Sequence, residues 1–241
     1  MTARFITAAI AALATGAPAI ADSVDLRFLG TGAGRTVSVS LGGDSFRVFA
    51  GQLCHELSDG VGLAGLILGE HLTYCAELTE HVTTIARRYD LVPLAQVSTP
   101  ALGATRASAI TGLYSWVDGA QLEAGADRDL AAAFQIAVWE IIYDYDDTEG
   151  AGALDVESGR FRARSRRGRR LNDSIRGYLD SMFAAALAPP ASSGWALAGL
   201  TRQGAQDQLI GLPMAAVPLP GAATAGLVGL GVIASRRRRT F

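Results

Sequence analysis

The sequence predicts an α+β fold, with a β-rich sandwich or barrel body and a helical segment inserted into it. Three observations predict it. Residues 24–76 alternate, or carry β-branched and aromatic residues between glycines. Residues 107–145 switch to helical spacing, and residues 195–212 return to strand spacing before the chain ends. No internal repeat is visible.

Taken in order, 24–29, 36–41 and 46–50 read as strands, with a turn at Gly42, Gly43 and Asp44. Gly30, Gly32 and Gly34 suggest a phosphate loop only superficially. Strands flank them and no helix follows, so a hairpin connection is expected there. A strand over 71–78 carries Cys75. After Val92 and Pro93 the pattern becomes helical. Ile110, Leu113, Tyr114 and Val117 mark one helix; Leu130, Phe134, Val138, Ile141, Ile142 and Tyr145 mark the strongest, with Asp127 and Asp129 where the helix dipole favours acids. A strand is expected over 154–164 and an amphipathic helix over 171–187, stopped by Pro189 and Pro190. Residues 195–200 and 208–212 read as a closing hairpin.

Both ends read as targeting devices. Arg4, the apolar run 5–13 and the small-x-small site Ala19-Ile20-Ala21 have a signal-peptide layout, with Asp22 the expected mature start. At the other end come Val217, Pro218, Leu219 and Pro220, then a stretch from 222 to 235 without charge, then Arg236, Arg237, Arg238 and Arg239. The arginines would stay cytoplasmic, placing the body outside the inner membrane. The apolar stretch is short against the roughly 20 residues a crossing helix needs. The expected organisation is a signal peptide over 1–21, one α+β domain over 22–212 and a C-terminal signal with a single transmembrane helix over 213–241. Proline motif, apolar helix and arginine block together resemble the PEP-CTERM-type sorting signals recognised by exosortase-type enzymes, in particular the subgroup beginning Val-Pro-Leu-Pro. The resemblance implies processing near Pro220 and transfer to the cell surface or an extracellular matrix.

Removing the five terminal arginines leaves 16 arginines against 23 acids, a net charge of −7. A mildly acidic exported body argues against general nucleic-acid binding. The chain contains no lysine, so no lysine amine of its own could attack an internal electrophile.

Two short runs carry chemistry. Tyr74-Cys75 puts a cysteine behind an aromatic residue on a strand. Phe134-Gln135-Ile136-Ala137-Val138-Trp139 puts a glutamine on an apolar helix, with a tryptophan one turn later on the same face. Together they resemble the two halves of a bacterial thioester domain, across roughly 51–145. The resemblance implies an internal thioester between the Cys75 sulfur and the Gln135 side-chain carbonyl, shielded by Tyr74, Phe134 and Trp139. Such a bond acylates a nucleophile on a protein or polysaccharide partner once, without turnover and without cofactor or metal. Forming it requires held geometry, donors to the amide oxygen, and exclusion of water.

Cys54 leaves a second reading open. Two cysteines in an oxidising compartment pair by default, and a Cys54–Cys75 disulfide would make this a non-covalent structural surface protein. Cys54 with Gln135 is a further arrangement. The remaining constellations are weaker. His55, His71 and His81 lack helical metal spacing. Asp144, Asp146, Asp147 and Glu149 read as a solvated helix exit, with calcium as the alternative. The arginines from Arg160 to Arg170 read as a solvated edge, with an anionic polysaccharide as the alternative.

Overall fold

The first two strands, β1 (Ser23–Leu41) and β2 (Asp44–Val61), form one long antiparallel hairpin, turned at Gly42 and Gly43 with φ of 61° and 106°. The computed structural model describes residues 21–213, apart from 99, 124, 147, 149–153 and 189–193. The signal peptide, the Val217–Pro220 motif and the Arg236–Arg239 block lie outside the described residues, save that Ala21 begins them. Among the described residues no helix is long and apolar enough to cross a membrane.

Five further strands follow: β3 (Gly69–Cys75), β4 (Arg87–Pro93), β5 (Phe161–Ser165), β6 (Trp195–Thr201) and β7 (Gln208–Pro213). The antiparallel order is β2-β3-β7-β6-β4-β1-β5, and β2 also pairs with β1. That extra pairing closes β1, β2, β3, β7, β6 and β4 into a ring, so six strands make a barrel and leave no open edge within it. Val24, Leu26, Leu57, Tyr89, Leu200 and Ile210 fill its interior.

β1 and β2 outrun the barrel. Ser23–Leu26 pair with β4, whereas Val37–Leu41 pair with β5. On this extension lie α1 (Gly103–Val117), the short α2 (Gly119–Glu123), α3 (Arg128–Tyr143) and α4 (Asp173–Ala186), which share a second, larger core. Asp127 caps α3 through the Asp129 N–H, and Asn172 caps α4 through the Ile175 N–H. Arg35 on β1 pairs with Asp129 at 2.6 Å, tying the start of α3 to the hairpin. The α+β class and the barrel body with inserted helices are therefore present.

Two sequence expectations are corrected. Residues 30–34 are not a hairpin connection; β1 runs straight through them, with register shifts between Phe28 and Gly30 and between Thr31 and Gly34. A Cβ on Gly34 would lie 2.4 Å from the Ala50 carbonyl oxygen, and one on Gly51 (φ 147°) would lie 2.3 Å from that of Ala33. The glycines permit the bulged crossing at which the hairpin leaves the barrel. The strand expected over 154–164 is confined to 161–165, because Asp155 and Ser158 bond locally in a turn. β4 was not anticipated.

Candidate functional site

β3 ends at Cys75, and its last backbone groups have no strand beside them on one side. Tyr74 pairs with Leu209, Cys75 with Gln208, and the Ala76 N–H donates to the Asp207 carbonyl at 2.9 Å. Antiparallel bonding alternates, so the N–H and C=O of Cys75 face away from β7, toward β2. The β2–β3 ladder stops at Leu53↔Thr73, because β2 follows β1 onto the helical layer.

The Gln135 side chain occupies the vacated position. Its Oε1 accepts from the Cys75 N–H at 2.8 Å, and its Nε2 donates to the Cys75 carbonyl at 2.7 Å. The carboxamide thus completes the ladder in place of a strand, and both of its polar ends are satisfied although Gln135 is fully buried. One donor to the amide oxygen, which the sequence did not reveal, is the N–H of Cys75 itself.

Gln135, Trp139 and Tyr143 form one stripe along α3 at four-residue spacing. Each grips a different part of the segment around Cys75. Trp139 is buried beside the thiol, and its indole N–H makes no hydrogen bond of ordinary geometry. The Tyr143 hydroxyl accepts from the Leu78 N–H at 2.8 Å. Burial pushes that phenol up to about 12.

Tyr74 precedes Cys75 on the strand and therefore projects to the opposite face. Its ring packs edge-on against Phe134 at 4.7 Å, and Phe134 meets Tyr114 at 6.0 Å. These rings back the Gln135 clamp. The wall over the sulfur is Trp139.

The Cys75 thiol is pushed up to about 12, chiefly by burial, with Glu77 and Asp207 adding repulsion. Contacts with the Glu77 backbone and Trp139 work the other way. The thiol donates to the Glu77 carbonyl. That carbonyl is itself held by Gln206, whose Nε2 donates to Glu77 O at 3.0 Å and Glu80 O at 2.9 Å. Gln208 Nε2 donates to Gln206 Oε1 at 3.1 Å, Thr73 Oγ1 donates to Gln208 Oε1 at 3.1 Å, and His55 Nδ1 lies 2.9 Å from Thr73 Oγ1. A polar chain therefore runs from His55, which burial drops to about 4 and keeps neutral, to the carbonyl that accepts the thiol's hydrogen bond. Sequence reasoning missed every member of this chain as a site residue.

A cavity of about 590 Å³ opens in front of Cys75, lined by Phe28, Phe49, Leu53, Glu77, His81 and Trp139 among others. Cys75 is itself among the lining residues, and Gln135 is not.

The Cys54–Cys75 disulfide is not formed. Both cysteines are free, and Cys54 lies opposite Leu72, three residues from Cys75. Odd spacing puts the two side chains on opposite faces of the sheet, and their Cα atoms are roughly 11 Å apart along and across the strands. A disulfide needs less than about 7 Å and converging side chains. Gln135 meets Cys75, not Cys54.

Other candidates are dispersed. His55 and His71 face each other across β2 and β3, but no group of three or more ligands for a metal occurs among the described residues. Asp144 accepts from the Phe161 N–H and Asp146 from Thr148, while 147 and 149 lie outside the described residues. The arginines from Arg160 to Arg170 are all exposed.

Glu140, five residues past Gln135, is fully buried with one oxygen bonded to the Asp155 N–H at 2.9 Å and the other unpaired. Burial, helped by Asp144 and Asp155, raises its carboxyl to about 8. A raised folded-state value favours the protonated form, so this group's stabilisation is complete below its unfolded value and is lost as pH rises through about 8. Urea midpoints should fall by the equivalent of on the order of a few kcal/mol between pH 5 and pH 9, and Glu140→Gln should flatten that dependence. An unchanged slope in the variant would refute the assignment.

No protein-family model matches the chain, and comparison with curated proteins gives no match. Among solved structures it is similar to the N-terminal thioester domain of a surface protein from Clostridium perfringens, with 14% identity, a TM-score of 0.39, and 78% of this chain and 97% of that chain covered. It is also similar to the N-terminal domain of the Streptococcus pyogenes pilus tip adhesin Cpa, with 17% identity, a TM-score of 0.38, and 67% and 83% covered. A likeness of this degree fixes neither activity nor partner for this chain.

Proposed function

We propose that this is an exported surface protein in which Cys75 and Gln135 form an internal thioester for single-use covalent adhesion. The observation that supports it best is the paired hydrogen bonding of the Gln135 carboxamide to the N–H and C=O of Cys75, the residue that carries the sulfur. This holds the electrophilic carbon against the nucleophile's own residue inside a dry core, where orientation substitutes for intrinsic reactivity.

Bond formation is balanced without a co-reactant. The Cys75 sulfur attacks the Gln135 carboxamide carbon, negative charge on Oε1 is met by the Cys75 N–H, and the thiol proton leaves with Nε2 as ammonia. In the capture step a partner's amine or hydroxyl enters past Cys75 and Trp139, which separate the cavity from Gln135, and attacks the same carbon. The C–S bond breaks, the sulfur takes up the nucleophile's proton, and the partner is left as an amide or ester of residue 135. Export by the N-terminal segment, anchoring by the C-terminal one and processing by an exosortase-type enzyme would bring the domain to the inner membrane and then the cell surface. The target is a protein or polysaccharide.

Intact mass of the purified, unreduced chain tests the central bond. A deficit of one ammonia, converted by methylamine to a methylamide adduct, is the expected result. A full-mass chain unaffected by methylamine sinks the proposal.

Gln206 supplies a second check. Gln206→Ala frees the Glu77 carbonyl, and with it the thiol's orientation, at a cost of about 1–3 kcal/mol for the buried groups left unpaired. The ammonia-deficient fraction should fall while the melt stays cooperative; a fraction equal to the parent's would exclude Gln206 from positioning the thiol.

A further inference from the structure

The ten residues from Gly60 to Gly69, which take in the end of β2, the seven-residue connection 62–68 and the first residue of β3, carry no charge. Ala64 and Ile67 point inward and close one end of the barrel. Leu66 and Leu68 are 64% and 51% exposed, and Val61 and Leu63 are 39% and 38% exposed beside them. Four large apolar side chains in one short loop stand out on a domain whose other exposed ones are scattered.

Both ends of the described chain emerge at this loop. Ser23 pairs with Val61, and Asp22 Oδ1 accepts from the Leu63 N–H at 2.7 Å. β7 runs antiparallel to β3 through Ile210↔Thr73, so the same register carries Pro213 to the level of Glu70. Beyond Pro213 the sequence holds the uncharged run 222–235 and the four arginines. Cys75 lies at the other end of β3, about 20 Å along the strand.

We infer that the Val61–Leu68 loop is a membrane-contacting surface, and that the barrel stands on a lipid bilayer with Cys75 and its cavity facing away. The partner is the apolar interior of the outer leaflet. Asp22, Asp59 and Glu70 border the loop, so the contact is apolar and independent of anionic lipid. This rests on the C-terminal segment anchoring the chain, in the form that precedes processing near Pro220, and not on the thioester. Anchoring holds the loop at the bilayer at high local concentration, so four side chains suffice where a free domain would need more.

The experiment uses the full chain in phosphatidylcholine vesicles, with and without bromine on the acyl chains. Two variants add a tryptophan: Leu66→Trp in the loop, and Ile85→Trp at an equally exposed position on the Cys75 end, where Phe28 bonds to Thr83. Emission gained by Leu66→Trp should shift to the blue and be lost in brominated vesicles, while that gained by Ile85→Trp should persist. Replacing part of the lipid with phosphatidylglycerol should change neither. Equal emission in both vesicle types for Leu66→Trp overturns the proposal, as does quenching at both positions. A chain that does not float with vesicles removes the anchor reading and this proposal with it. The methylamine mass test, run on the same material, reports on the thioester separately.

Discussion

Cys75→Ser should abolish covalent capture completely, with no ammonia deficit and no methylamine adduct, while the domain still folds. The hydroxyl is close in size to the thiol and can keep the bond to the Glu77 carbonyl, so the expected loss of stability is about 1 kcal/mol. Cys75→Ala loses that bond and opens a small cavity beside Trp139, for about 1–2 kcal/mol. Neither change touches the Gln135 clamp, which uses only the backbone of residue 75. That separation makes the test sharp: adduct yield falls to background while the thermal melt moves by a few degrees. Cys54→Ser is the matched control. Cys54 lies on the opposite face of the sheet, so its replacement should leave adduct yield at the parent level. Loss of adduct in Cys54→Ser with retention in Cys75→Ser would reverse the assignment.

The parts of this arrangement that the sequence makes legible are those with a local signature. The period of α3 places Gln135 and Trp139 on one face, and β-branched and aromatic residues place Cys75 on a strand. The contact between them, 60 residues apart, follows from pairing that no local pattern encodes. The barrel closes only because β2 pairs with both β1 and β3, and β2's departure from β3 after Leu53 creates the position that Gln135 fills. Glycine spacing at 30–34 looks like a turn because a bulged crossing and a hairpin draw on the same backbone freedom. Gln206, Gln208, Thr73 and His55 carry no spacing signal: Thr73 and Gln208 sit on short strands, Gln206 in a turn, and His55 in the middle of the long β2, all positions whose polar side chains usually meet solvent. Only the fold turns them inward. The disulfide reading fails for a related reason: two cysteines in an exported chain suggest a bridge, and strand register, which composition does not contain, separates them.

Replacing Gln135 has the largest expected effect, because that side chain serves both the fold and the chemistry. Gln135→Ala leaves the N–H and C=O of Cys75 buried and unpaired and opens a void in the helical core. Each unpaired group costs about 1–3 kcal/mol, and the void adds to it, so a loss of about 3–5 kcal/mol is expected. A destabilised, unreactive variant does not by itself separate the two roles. Gln135→Glu does. Its neutral carboxylic acid can reproduce both hydrogen bonds, accepting from the Cys75 N–H and donating to the Cys75 carbonyl, whereas its carboxylate can only accept. Burial raises the acid's pKa above its unfolded value, so the variant should approach parent stability near pH 5 and lose it as pH rises through the folded value. At pH 5 it should be folded, at full mass and inert to methylamine, because it has no ammonia to release and hydroxide is a poor leaving group. Urea titrations and intact masses at pH 5 and pH 8 read out both halves. A Gln135→Glu chain equally unstable at both pH values would show that the clamp is not what holds Cys75. One that is folded and still captures methylamine would show that the acyl carbon lies elsewhere.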